Sequence, residues 1–206
     1  PAVQTTYQSF LGADGKKVVG LANYQWIFGT EANWVFLRNT AIWIIITPIF
    51  STAVGLILAL LMDRMRRESL PKSLIFMPMA ISFVGASIIW GLVYEYRDPS
   101  ETQVGLLSAV VSAFGITPEN WLLLQPWNTF FLIIIMVWIQ VGFAMVVLSA
   151  AIKAIPMDVT EAAMLDGAVG WKLFSKVTVP MIRGTLVVVL TTIAIGVLKV
   201  FDIVRT

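Results

Sequence analysis

Thr129-Phe130-Phe131-Leu132-Ile133-Ile134-Ile135-Met136-Val137-Trp138-Ile139-Gln140-Val141-Gly142-Phe143-Ala144-Met145-Val146-Val147-Leu148-Ser149-Ala150-Ala151 is an apolar run without one Asp, Glu, Lys or Arg. A helix needs about 20 such residues to cross the hydrocarbon core of a bilayer, and this run is long enough. Three more runs have the same character: Ala41 to Met62, Leu74 to Val93, and Gly184 to about Val204. Lys199 and Asp202 interrupt the last of them near its end, three apart, where they can pair on one helix face. Lipid leaves no partner for an unpaired backbone group, so such spans are helical. The sequence therefore predicts an all-α, polytopic membrane helical bundle of about four transmembrane helices at 41–62, 74–93, 129–151 and 184–204.

Composition agrees. The 206 residues are 58% hydrophobic and 13% charged, against about 25% charged in soluble domains. The length suits a single domain. A net charge of +2 gives no reason to expect a nucleic-acid partner. There is no Cys and no His, which removes thiolate chemistry, the usual general base and the commonest metal ligand. Neither an HExxH nor a GxSxG motif is present, so an enzymatic reading has nothing to stand on.

Basic residues set the expected orientation. Arg64, Arg66, Arg67 and Lys72 follow the first run, and Lys153, Lys172, Lys176 and Arg183 follow the third. Both connections fall on one side of an alternating bundle, which is then cytoplasmic. Residues 1–40 and 94–128 are external, and Trp43, Trp90 and Trp127 sit at the outer ends of the runs, as an aromatic belt would. Within the outer segments, Tyr24–Phe28 and Gly105–Val111 read as short interfacial helices, and Gly12-Ala13-Asp14-Gly15 as a turn. Pro48 and Pro78 can kink or hinge their helices, but ordinary prolines tolerated within membrane helices are the favoured reading.

The connection 152–183 is the least ordinary part of the chain. Pro156 stops the third span. Asp158-Val159-Thr160-Glu161 has the form of a capping box opening a helix to about Asp166, and Gly167 or Gly170 can end it in a left-handed conformation. Ala162 and Ala163 give that helix a thin face on which another protein could approach closely, with Glu161 as a charge for its partner. Pro180 marks re-entry into the membrane. An ordinary connecting helix with small residues is the competing interpretation.

Glu161-Ala162-Ala163, Gly167, Val177, Val179 and Pro180 match in spacing a motif of permease subunits of binding-protein-dependent ABC importers: Glu-Ala-Ala, three residues, Gly, nine residues, Ile, one residue, Leu-Pro. Val replaces Ile and Leu. The flanks Gly20-Leu21-Ala22-Asn23-Tyr24, Arg38-Asn39-Thr40, Gly105-Leu106-Leu107, Ile155-Pro156 and Asp166-Gly167-Ala168 resemble the carbohydrate branch, of the maltose, α-glucoside and glycerol-phosphate type. The resemblance runs over most of residues 19–206. It implies a heteromeric importer in the cytoplasmic (inner) membrane of a prokaryote, with two ATPase subunits inside, a second and paralogous permease, and an external substrate-binding protein. It also implies a full-length protein of roughly six helices, trimmed here at both ends. Glu161, Ala162, Ala163, Asp166, Gly167 and Pro180 are the expected ATPase-coupling residues.

The chain has no GxxxxGK[ST] phosphate loop. ATP and Mg would be bound by the partner ATPases, and this chain would carry no cofactor. Polar residues inside membrane helices are candidates for the solute pathway. Gln140, Trp138, Thr191 and Ser51 are the chosen ones, Trp138 because its ring could stack on a sugar. Hydrogen bonding between helices is the competing role, and Ser51, Gly55 and Ala59, four apart, also read as a close-packing face. An ion-coupled carrier would want an ionisable residue at mid-membrane, which these runs lack. A permease for another solute class stays open.

Overall fold

The computed structural model of the chain describes residues 2–98 and 100–198, and among these there are helices and turns but no β-strand. The chain divides into two compact units at Ile42 and Trp43.

In the first unit, helix α1 (Ala2–Gln8) is followed by a turn and helix α2 (Ala22–Gly29). The turn forms at the expected Gly12–Gly15: Asp14 Oδ1 accepts the N–H groups of Lys16 and Lys17 at 3.1 Å each, which lowers its carboxyl pKa, and Gly15 takes φ +66°. Asn23 Nδ2 donates to the carbonyls of Ser9 and Leu11, both at 2.8 Å, and Tyr24 shares a hydrogen bond with Ser9 Oγ at 2.6 Å. Polar residues thus hold α2 in place. Its apolar Trp26 and Phe28 are exposed, so the helix expected over Tyr24–Phe28 exists but holds its inner side with polar groups.

Helix α3 (Glu31–Met62) runs without interruption through Pro48. The second unit continues with α4 (Ser69–Phe76), a 3₁₀ turn at Met77–Ala80, α5 (Phe83–Val93), α6 (Leu106–Ala113) and α7 (Asn128–Lys153). Helix α8 (Met157–Leu165) follows, then α9 (Trp171–Leu173), a π turn at Phe174–Thr178, α10 (Val179–Met181) and α11 (Arg183–Leu198). Asn33–Met62 and Asn128–Lys153 are long and apolar enough to cross a membrane, and the number of spans rises to four if each of two bent pairs is one span.

The run 74–93, expected as one helix, is two. Pro78 lacks an N–H and cannot extend α4. Ile81 and Ser82 turn extended, and Ser82 Oγ accepts the Gly85 N–H at 3.0 Å to cap α5. The two parts meet at 105°. A second bend of 68° separates Trp171–Met181 from Arg183–Leu198. It follows Pro180, whose missing N–H coincides with the preceding π turn, a place where the i→i−4 ladder is already relaxed. The expected span 184–204 is α11 to Leu198. Lys199 and Asp202 lie outside the described residues.

Helix α7 is the centre of the core. Ile135, Met136, Ile139, Ala144, Met145 and Leu148 are buried, with Val189, Ile193 and Val197 of α11, Ala86 of α5 and Ala59 of α3. Two glycines let backbones touch. A Cβ on Gly55 would stand 2.6 Å from Ala144 Cβ and 2.9 Å from Met145 N, and one on Gly142 would stand 2.6 Å from the Ile75 carbonyl oxygen. The Ser51-Gly55-Ala59 face is therefore the packing face its spacing predicted, while Ile45, Ile49, Ile57 and Leu61 of the same helix are exposed. Small residues inside and large apolar ones outside is the arrangement lipid favours.

Candidate docking helix and membrane-embedded polar residues

Helix α8 begins one residue after Pro156, whose extended ψ of 138° makes it the N-cap. Pro156 has no side-chain acceptor, so the expected capping box at Asp158 does not form. Asp158 lies in the first turn instead, where a carboxylate still favours the positive end of the helix. Thr160 Oγ1 donates to the Met157 carbonyl at 2.7 Å.

The other end is built as the glycine predicts. Gly167 takes φ +75°. Its N–H donates to the Met164 carbonyl at 3.0 Å, and the Ala168 N–H reaches back to the Ala163 carbonyl at 2.9 Å. These are the two hydrogen bonds of a Schellman motif, and the small Ala163 and Ala168 lie at its paired positions. Ala168 is buried and Ala163 half-buried, whereas Glu161, Ala162 and Asp166 are exposed. Gly170 is left-handed as well, at φ +54°.

What surrounds this helix is apolar and uncovered. Leu165 is 90% exposed, Trp171 76%, Met157 72% and Val169 66%. The residues belong to one connection between apolar helices, which also carries the exposed Glu161, Asp166 and Lys172, and exposed large apolar side chains gathered in one segment make it a candidate interaction surface. Motif spacing alone gave Ala162 and Ala163 as the contact face; the large apolar side chains beside them could have been found by their position in a connection otherwise rich in charge.

The four membrane-embedded candidates are not gathered round a common cavity. Ser51 is fully buried on α3, and its Oγ, like Thr47 Oγ1 and Thr52 Oγ1, has no hydrogen-bond partner. Gln140 is half-buried on α7, its Nε2 lying 3.6 Å from where a Cβ on Gly196 would stand. Trp138 meets Trp90 edge-on, with ring centroids 5.8 Å apart. Thr191 is exposed and donates to its own helix at the Val187 carbonyl, 2.8 Å away. A cavity of about 560 Å³ lies among Glu101, Gln103, Ser112 and Thr117, and one of about 180 Å³ beside Trp90 and Tyr94; none of the four lines either.

Two groupings were not legible beforehand. Trp90, Tyr94, Trp121, Phe131 and Trp138 form an aromatic cluster that joins the end of α5 to the first half of α7 and to Trp121 in the loop between α6 and α7. Tyr94 donates to the Phe131 carbonyl at 3.0 Å and Trp121 Nε1 to Ser108 Oγ at 2.9 Å. Trp90, expected in the aromatic belt, packs inward here, while Trp127 is exposed. The second grouping is ionic. Asp63, Glu68, Lys72, Ser149 and Lys153 join the ends of α3 and α7 to the start of α4. Lys153 and Lys72 hold the Glu68 carboxyl down at about 2. Only the Glu68–Lys72 spacing of four announced it.

The family described as "Binding-protein-dependent transport system inner membrane component" matches residues 36–205. The alpha-glucoside transport system permease protein AglF of Rhizobium meliloti is 50% identical over 204 residues, 99% of this chain and 61% of that protein. The osmoprotective compounds uptake permease protein GgtC of Synechocystis is also 50% identical over 204 residues, 99% of this chain and 73% of that one. A bacterial ABC transporter involved in the import of the acidic polysaccharide alginate shares the fold with a TM-score of 0.78 at 22% identity, over 97% of this chain and 67% of that chain. The chain thus spans about two thirds of the length of the proteins it resembles.

Proposed function

We propose, since this chain belongs to the family of binding-protein-dependent transport system inner membrane components, that it forms part of the pore of an ATP-driven importer for a sugar or sugar-like solute. The uncovered apolar surface of α8, closed by the Schellman motif at Gly167, carries the reading: it is a preformed helix with a face that water would not select. Of two ATPase subunits in the cytoplasm one docks on it, a second, paralogous permease completes the pore, and a substrate-binding protein delivers the solute outside. Connection 152–183 then faces the cytoplasm and residues 94–128 the outside, as the basic residues favour.

ATP hydrolysis by the partners moves α8, and α8 moves the helices attached to it between inward-open and outward-open arrangements. The contacts made by the ATPases differ between the two, which is what lets them bias the equilibrium. The relatives named for alpha-glucosides and osmoprotective compounds support a solute rich in hydroxyl groups. Gln140, Trp138, Thr191 and Ser51 are the proposed pathway residues. Gln140 has the firmest claim, because its half-buried amide faces Gly196 of α11 and an amide within lipid is costly to leave unpaired.

The test is recovery of the full-length protein from its native membrane with its partners, identified by mass spectrometry. An ATPase and a second permease are expected, and Gly167→Asp is expected to lose the ATPase while the chain still inserts. Asp tolerates the left-handed region, and a Cβ at this site meets nothing within 4 Å, so the added charge acts on the partner. Recovery of the chain alone, with uptake abolished by an ionophore, would overturn the proposal.

A further inference from the structure

The ionic cluster joins the ends of α3 and α7 to the start of α4, and α7 leads through three residues into α8. Asp63 follows the last residue of α3, and its N–H closes that helix on the Ala59 carbonyl at 3.0 Å. Lys153 is the last residue of α7, and Met157 starts α8 four positions on. Lys153 is thus the member of the cluster nearest to α8 along the chain.

Within the cluster the two lysines are held differently. Lys72 Nζ spends its three N–H groups on Asp63 Oδ1 (2.5 Å), Glu68 Oε2 (2.9 Å) and Ser149 Oγ (2.7 Å). Ser149 passes its own proton to Asp63 Oδ1 at 2.7 Å. Lys72 is 17% exposed and Asp63 14%, so this part is fixed and mostly dry. Lys153 is 47% exposed, bonds Glu68 Oε1, and stands 3.7 Å from Asp63 Oδ1. Meanwhile Asp63 Oδ2 is buried without a hydrogen-bond partner. A buried carboxylate oxygen with no donor is a costly arrangement, and the Lys153 ammonium already stands 3.7 Å from the other oxygen of the same carboxylate, about 0.5 Å beyond hydrogen-bonding distance.

We infer that Asp63, Glu68, Lys72, Ser149 and Lys153 form a two-position latch between the docking helix and the membrane helices. Lys72 and Ser149 hold Asp63 as a fixed acceptor. Lys153 rests on Glu68 and transfers to Asp63 Oδ2 when α8 is displaced. The cluster has two cations and two carboxylates in either position, so the exchange changes no net charge, and each position satisfies a different acceptor. Lys153 and Glu68 are positioning residues; they act through α8 and touch no solute. This rests on the importer reading above.

A fixed ion pair and an exchanging one respond differently to loss of either partner. If Lys153 and Glu68 only clamp, Glu68→Gln, which also frees Lys72 from Glu68, and Lys153→Gln both loosen the clamp and change hydrolysis and uptake in the same direction. If Lys153 exchanges, Glu68→Gln removes the resting seat and leaves Lys153 on Asp63. The test uses the complete transporter with its ATPase and binding protein reconstituted in vesicles, measuring solute uptake and ATP hydrolysis together. Glu68→Gln is expected to raise hydrolysis in the absence of solute about tenfold, since removing one seat shifts a two-state equilibrium by the differential affinity lost. Lys153→Gln is expected to lower uptake by a similar factor with no rise in solute-free hydrolysis and no change in the KM for solute, and Lys153→Arg to restore it. Should Glu68→Gln not reach the membrane, Glu68→Asp, which shortens the seat, carries the same expectation. Equal effects of the same sign from the Glu68 and Lys153 variants, or no restoration by Arg, would overturn the latch. A wild-type complex that takes up solute without needing ATP would instead overturn the importer reading, and it separates the two failures.

Discussion

Gly167 shows how far one residue can be read. Its φ of +75° lies where an L side chain costs about 1–2 kcal/mol, and open space around it removes steric fit as a reason for glycine. Gly167→Val is therefore expected to fray the end of α8 and lower the thermal midpoint of the purified complex, while Gly167→Asn, which tolerates this region, leaves it close to wild type; a thermal shift assay distinguishes the two. Glu68 offers a second residue-level expectation. Its carboxyl is brought from 4.5 to about 2 by Lys153 and Lys72. A depressed carboxylate stabilises the fold above the unfolded pKa, and that contribution disappears as pH falls through the folded one. Wild type should exceed Glu68→Gln in stability above about pH 4.5, and the gap should close between there and about pH 2. A constant gap across that range in detergent melts would show that the ion pairs are not the cause. The sequence announced Gly167, with Gly170 as the alternative, through its place after the short helix expected to open at Asp158–Glu161. It could not announce Asp63, whose partners are 86 and 90 positions away at Ser149 and Lys153.

At the scale of elements, helix contacts rest on backbone proximity. Gly55→Val and Gly142→Val each push a Cβ into the backbone of the neighbouring helix, at 2.6–2.9 Å from Ala144 and Met145 or at 2.6 Å from Ile75. Backbone cannot yield as a side-chain tip does, so each is expected to cost about 1–3 kcal/mol and to reduce recovery of folded protein; Gly91, with no atom nearby, is the control position where Val should be tolerated. Ser51 gives the opposite expectation. Its hydroxyl is buried with no partner, so Ser51→Ala should leave stability unchanged or slightly raised, and an altered KM for solute in that variant would place Ser51 on the pathway. The apolar runs were legible as elements because charge is absent over a membrane's thickness. The break within 74–93 was not, since a membrane helix often accommodates proline: Pro48 stays inside α3 while Pro78 coincides with a 105° bend. What differs is Ser82, four residues on, which offers a cap for a new helix.

For the molecule as a whole, the exposed apolar surface beside α8 is the feature that asks for a partner. Leu165→Ser with Trp171→Ser should reduce co-recovery of the ATPase without reducing insertion, because neither side chain is buried in the chain itself; undiminished recovery would move the docking surface elsewhere. The amino-acid sequence by itself determined the membrane class, the helical fold and the place of the short helix between the third and fourth apolar runs. Each follows from local facts: hydropathy over one span, the charge of one loop, and residue types at fixed short offsets. Only the tertiary structure decided which side chains meet. It turned Trp90 inward to an aromatic cluster and joined Asp63, Lys72 and Lys153 into one ionic cluster. In lipid, apolarity does not tell inside from outside, since both surroundings are equally dry. Inside positions are set by which small residues let backbones approach, and that is a property of pairs of helices far apart in the chain.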